Sequence, residues 1–97
     1  MKRVRFIAPA RREFLKEVAY YNEQTPGLGG AFIREVEAAT ARALAFPNSG
    51  SPCVQDTQLV LVNKFPFSII YRPDQDGIVV FAVAHHRRLP EYWVPRT

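Results

Sequence analysis

Ile78-Val79-Val80-Phe81-Ala82-Val83-Ala84 runs without a polar interruption and opens directly onto His85-His86-Arg87-Arg88, then Leu89-Pro90-Glu91-Tyr92-Trp93. An apolar run of this length reads as one strand covered on both faces. Such a strand is a rigid support, and groups at its exit are held where residues of a loose loop would wander. Upstream, Pro73-Asp74-Gln75-Asp76-Gly77 is a hairpin turn signal, and Phe67 to Arg72 before it is the partner strand. Leu59 to Val62 supplies a further strand. The C-terminal half is therefore a meander that delivers two imidazoles and two guanidiniums to one end of a sheet.

The N-terminal half is of another kind. Arg3-Val4-Arg5-Phe6-Ile7 alternates polar and apolar residues, as a half-buried strand does. Pro9 suits the first turn of a helix, where its fixed φ fits and its missing N–H is not needed. Ala10, Phe14, Val18 and Tyr21 then recur on one helical face as far as about Gln24. Pro26-Gly27 and Gly29-Gly30 break the pattern. In a second helix Leu28, Phe32, Val36, Ala39, Ala43 and Phe46 mark the apolar face, and Arg34, Glu35, Glu37 and Arg42 the wet one, before Pro47 stops it. So short a break predicts an antiparallel helical hairpin, and Ala19, Ala38, Ala39 and Ala43 would let the two helices approach closely. Residues 47 to 57 are loop by composition. The order β-α-α-β-β-β predicts an α+β domain spanning residues 1–97, a helical hairpin packed on a mainly antiparallel twisted sheet.

Ninety-seven residues, 47% of them hydrophobic and 23% charged, suit one folded domain and argue against disorder. No apolar stretch approaches the roughly 20 residues of a membrane span, and the N-terminus lacks the apolar centre of a signal peptide. Cys53 has no second cysteine to pair with, which fits a reducing cytoplasm. The net charge of +4 tilts the chain towards acidic partners, whether nucleic acid or protein. Lys2, Arg3, Arg5, Arg11, Arg12 and Lys16 crowd the first segment against Glu13 alone, and Lys64, Arg72, Arg87, Arg88 and Arg96 recur in the last third.

His85 and His86 point to opposite faces if the chain is extended. No third histidine or second cysteine completes a zinc set, so no metal and no cofactor is expected. Either imidazole suits a general acid or base, and equally a structural or partner contact. Arg87 and Arg88 offer forked donors for phosphate or carboxylate, and Lys64 and Arg72 are placed on neighbouring strands as further basic groups. In a tight hairpin, however, Arg72 falls at the turn end and His85 at the other. Tyr92 could stack on a base, whereas Trp93 reads as an anchor packed back over the sheet. Cys53 has no base near it in sequence and reads as an incidental thiol.

The element order, the Pro47…Gly50-Ser51-Pro52 loop, Phe65-Pro66-Phe67-Ser68-Ile69-Ile70-Tyr71-Arg72 and the ending Val83 to Trp93 together resemble the RelE/ParE superfamily, toxins of type II toxin–antitoxin modules. The resemblance covers nearly the whole chain. It implies a cytoplasmic toxin neutralised by a cognate antitoxin that wraps the hairpin and sheet, with operator DNA bound only through that antitoxin. RelE-like members cut mRNA in the ribosomal A site, and ParE-like members inhibit DNA gyrase. By position, Arg88 and Tyr92 fall where RelE-like nucleases keep a functional arginine and tyrosine. The strand Leu59 to Val62 lacks the lysines of RelE, and Ser68 stands where RelE-like members keep an arginine. Those losses favour the ParE-like side, with Lys64, Arg72, Arg87 and Arg88 as target- or phosphate-binding residues. The alternative is a ribosome-dependent nuclease using His86 or His85 with Arg88 and Tyr92, since other ribosome-dependent relatives use a histidine close to His86. A non-toxic small basic binding domain is the third reading.

Overall fold

Two apolar clusters, one on each face of a single sheet, organise the chain. In the computed structural model, which describes all of Met1–Thr97, the elements run β1 (Arg3–Phe6), α1 (Ala8–Gln24), α2 (Leu28–Ala45), β2 (Ser51–Pro52), β3 (Gln58–Leu61), β4 (Phe67–Asp74) and β5 (Gly77–His85). A 3-10 turn at Val94–Arg96 closes the tail. The sheet order is β1-β5-β4-β3-β2, with β1 parallel to β5 and every other pair antiparallel. The α+β order expected from sequence is present. One element was not anticipated: Ser51–Pro52, within the segment 47–57 that reads as loop, pairs briefly with β3.

The helical hairpin covers one face of the sheet. Ala10, Phe32, Val36, Ala39 and Ala43 meet Phe67, Ile69, Tyr71, Ile78, Val80 and Val83 there, all essentially inaccessible. Burial of each large side chain contributes about 1.5–3 kcal/mol. Edge-on aromatic pairs, such as Tyr21 with Phe65 at 5.0 Å and Phe32 with Phe67 at 5.1 Å, specify the packing further. Phe46 departs from its expected place on the inner face of α2. It caps the helix end at φ −134° and turns outward, 68% exposed. Gly29 seats the hairpin because a side chain there would sit 2.5 Å from Asn22, whose Oδ1 accepts the Gly29 N–H at 2.8 Å.

On the opposite face the C-terminal tail lies across the sheet. Trp93 is buried against Ile70 and Ala82, with Leu59, Cys53 and Tyr92 around it. This is the anchoring role read from the sequence.

A bulge decides which β5 side chains face which way. Ile70 pairs with Ala82 and Tyr71 with Val80, so Phe81 is an extra residue without a partner on β4. The insertion shifts the phase of β5, and Val80 and Val83 share the helix-covered face although they are three positions apart. At the other strand end, Gly77 has φ +136°, and a Cβ there would stand 2.0 Å from the Arg3 carbonyl oxygen. Glycine is what lets β1 lie against the start of β5.

The pairing of β1 with β5 stops at Phe6 opposite Val80, while β5 continues to His85. The upper edge of β5 therefore has no strand beside it. Two side chains take the strand's place: Glu13 of α1 accepts the Val83 N–H at 3.0 Å, and Arg96 of the tail donates to the Phe81 carbonyl at 3.1 Å. An unpaired buried strand edge would cost more than these bonds do to form.

Candidate functional site

The end of β5 turns sharply. Phe67 pairs with His85, whose ring stands edge-on to Phe67 at 4.9 Å. His85 then holds the turn itself: its Nδ1 accepts the Arg87 N–H at 3.0 Å and its carbonyl accepts the Arg88 N–H at 3.0 Å. His86 lies to the other side, with Nε2 and the Ser68 hydroxyl 3.0 Å apart. The two imidazoles diverge as extended neighbours must, which disfavours any site using both.

Beyond the turn, one carboxylate gathers the tail. Glu13 accepts the Tyr92 hydroxyl at 2.7 Å and two bonds from the Arg96 guanidinium at 2.9 Å each, and it faces Arg88 at 3.8 Å. With the Val83 N–H, that makes four residues on one side chain, itself only 15% exposed. Arg88 lies flat over the Tyr92 ring at 3.8 Å, a cation–π stack. Burial first, then the hydrogen bond and charge of Glu13, pushes the Tyr92 phenol far above its ordinary value near 10. Tyr92 therefore stays protonated and is no general base. Pairing with Glu13 likewise raises Arg96.

The remaining basic candidates do not join this group. Lys64 is not on a strand. It sits in the turn after β3 at φ +70° and pairs with Glu35 of α2 at 3.6 Å. Arg72 pairs with Val79 near the hairpin turn, donates to the Gln55 carbonyl and lies over Phe81 at 4.9 Å. Arg72 lies five positions along β4 from Phe67, about 17 Å of strand. The divergence of Arg72 and His85 inferred from hairpin geometry is what the register gives. Of the four basic candidates, Lys64, Arg72, Arg87 and Arg88, only Arg87 has a side chain with no hydrogen bond or ion pair.

A cleft of about 240 Å³ opens beside the tail, lined by Ser68, Ile70, His86, Arg88, Glu91 and Trp93 among others. Cys53 borders it, but burial and the nearby Glu91 carboxylate raise its pKa, which favours the protonated thiol over the thiolate. Glu91 holds φ +63°, a conformation that costs a non-glycine residue about 1–2 kcal/mol. Flanking anchors at Tyr92 and Trp93 keep it there. Glu13 and Arg96 escaped the sequence reading. The one signal was Glu13 itself, an acid isolated among basic residues.

The sequence model of the family described as "ParE toxin of type II toxin-antitoxin system, parDE" matches residues 4–90. The chain belongs to that family. A solved chain from the "Chromosomal ParDE TA system from P. aeruginosa" shares the fold, with a TM-score of 0.74 over 88% of this chain and 96% of that one, at 13% identity. No curated protein matched in the sequence search. The ParE family match ends at residue 90, so Tyr92, Trp93 and Arg96, which fasten the tail, lie beyond it. No helix is long and apolar enough to cross a membrane.

Proposed function

We propose that this chain arrests growth by binding DNA gyrase through protein–protein contact, with no chemistry on a substrate, and that a cognate antitoxin neutralises it in the cytoplasm. Operator DNA is bound through the antitoxin. Family membership supports the toxin role. The observation that carries the choice of mechanism is the engagement of Arg88 and Tyr92 by Glu13. Cleavage of RNA by its own 2′-hydroxyl passes through a state with added negative charge, which several preorganised cations must stabilise. Here Arg88 faces a carboxylate instead of an open site, Tyr92 is locked as a donor, and Lys64 and Arg72 lie elsewhere. A partner protein makes no such demand.

Purified protein is expected to inhibit supercoiling by gyrase and to leave ribosome-bound mRNA intact. Cleavage of that mRNA together with unimpaired supercoiling overturns the proposal. One observation favours the ribonuclease alternative: the His86 imidazole, held by Ser68, borders the cleft. Under that reading His86→Ala abolishes toxicity while antitoxin binding survives.

A further inference from the structure

The segment between the end of β5 and Tyr92 is the most projecting part of the tail. Arg87 has a free guanidinium, and Leu89 is 80% exposed although Trp93, four positions on, is buried. The turn Leu89 to Tyr92 is closed by a single backbone bond of 3.3 Å and contains Glu91 at positive φ. A turn this short, carrying a residue in a disfavoured conformation, does not hold its own shape. Its shape comes from what is fastened on either side. On one side His85 ties Arg87 and Arg88 to the strand end. On the other, Tyr92 and Arg88 are held by Glu13, and Arg96 closes the same carboxylate from beyond Trp93.

We infer that Glu13 is a positioning residue for target recognition, fixing the His86–Glu91 turn so that Arg87 and Leu89 are presented to an apolar, acid-rimmed surface of a partner protein. The inference rests on the toxin reading above, but not on the identity of the target. Chemistry favours protein over nucleic acid as the occupant. A lone exposed leucine beside one free arginine pairs an apolar contact with a charged flank, and arginine is among the side chains on which protein interfaces concentrate their energy. Phosphate recognition calls for several convergent free cations, and within this turn only Arg87 is without a partner. Preorganisation is what Glu13 adds: a turn already in its bound shape loses less freedom on binding. Removing the charge of Glu13 frees Arg88, Tyr92 and Arg96 at once, so the effect on binding exceeds that of losing any one of them.

The test uses growth arrest at matched expression levels of the full chain, which needs no assumption about the target. Trp93, the only tryptophan, reports locally on whether the tail is docked. Glu13→Gln is expected to raise the expression needed for arrest at least tenfold and to shift Trp93 emission to the red, with helix and strand content unchanged. Glu13→Asp, which keeps the charge, is expected to recover most of the activity. Leu89→Ser and Arg87→Ala, both on exposed side chains, are expected to weaken arrest at least fivefold with Trp93 emission unmoved. Wild-type arrest by Glu13→Gln despite a red-shifted Trp93 overturns the inference, as does wild-type arrest by the Arg87→Ala, Leu89→Ser double variant. Should Glu13→Gln fail to fold, the double variant decides alone. Absence of arrest by the wild-type chain is a different result: it removes the toxin reading, and the positioning role with it.

Discussion

Arg96 grips Glu13 with two parallel hydrogen bonds of 2.9 Å, joining the first helix to the last turn across 83 residues of sequence. Neither side chain is more than a fifth exposed, so solvent screens the pair little. A forked guanidinium meeting a carboxylate in this way is geometrically specific, and lysine cannot reproduce it.

Arg96→Ala should therefore destabilise the fold by about 2–3 kcal/mol, because it removes charge-assisted bonds and leaves the Phe81 carbonyl unpaired. For a chain of this size that lowers the melting midpoint by about 10–15 °C. Arg96→Lys should recover less than half of the loss. Calorimetry of the three proteins measures both, and a midpoint unchanged in Arg96→Ala would show the clamp to be dispensable.

Alkaline pH should destabilise the protein in a way that traces to its phenols. Burial raises Tyr21, Tyr71 and Tyr92 above the ordinary value near 10. A folded-state pKa above the unfolded one means that, beyond pH 10, the unfolded chain releases protons the folded chain retains. Stability is thus full below about pH 10 and falls as pH rises towards the folded values. Urea midpoints between pH 8 and 11 should decline, and less steeply in Tyr92→Phe. A decline of equal slope in that variant counts against Tyr92 as a contributor.

Gly77→Ala should cost about 3 kcal/mol, since φ +136° and the Arg3 backbone both exclude a Cβ. The damage should concentrate in β1, and faster hydrogen exchange at the Arg5 and Ile7 amides is the expected signature. Uniform exchange across the sheet would place the strain elsewhere.

Lys64→Ala and Arg72→Met should leave growth arrest within twofold of wild type, because neither side chain reaches the tail. Arg72→Met should also keep stability within about 1 kcal/mol, since the aliphatic stem is retained, the bond lost to the Gln55 carbonyl is solvent-exposed, and the buried Nε has no partner to lose. A strong loss of toxicity in Lys64→Ala would favour a target surface that extends around the sheet to Glu35.

Much of the architecture was legible because local signals and global packing agree. Ala10, Phe14, Val18 and Tyr21 announce a helix face, Pro73 to Gly77 a hairpin, and Trp93 an anchor, and each is where its pattern puts it. Ser51–Pro52 was hidden because a two-residue strand has no periodicity to read. Phe46 misled because hydrophobic spacing continues past the last turn of α2, where the chain has already left helical geometry. The candidate site was harder. His85, His86, Arg87 and Arg88 are contiguous and easily noticed, but what Arg88 and Tyr92 are engaged in depends on Glu13 and Arg96, contacts that span most of the chain. Lys64 was misplaced for a related reason: a residue three beyond the end of β3 belongs to the turn, and a positive φ sends it to the helix side.

The unpaired residue at Phe81 sets how much length the strand can lose or gain. Deleting it would leave every cross-strand partner on β4 in place, so the hairpin would tolerate the change. The rest of the molecule would not. Val83 would be drawn one residue nearer the end of β1, and the carbonyl that receives Arg96 would vanish. An insertion or deletion that looks neutral from within the sheet would thus strain the join between the tail and the first helix. Functional drift in such a chain could begin with a single codon far from the residues that meet the partner.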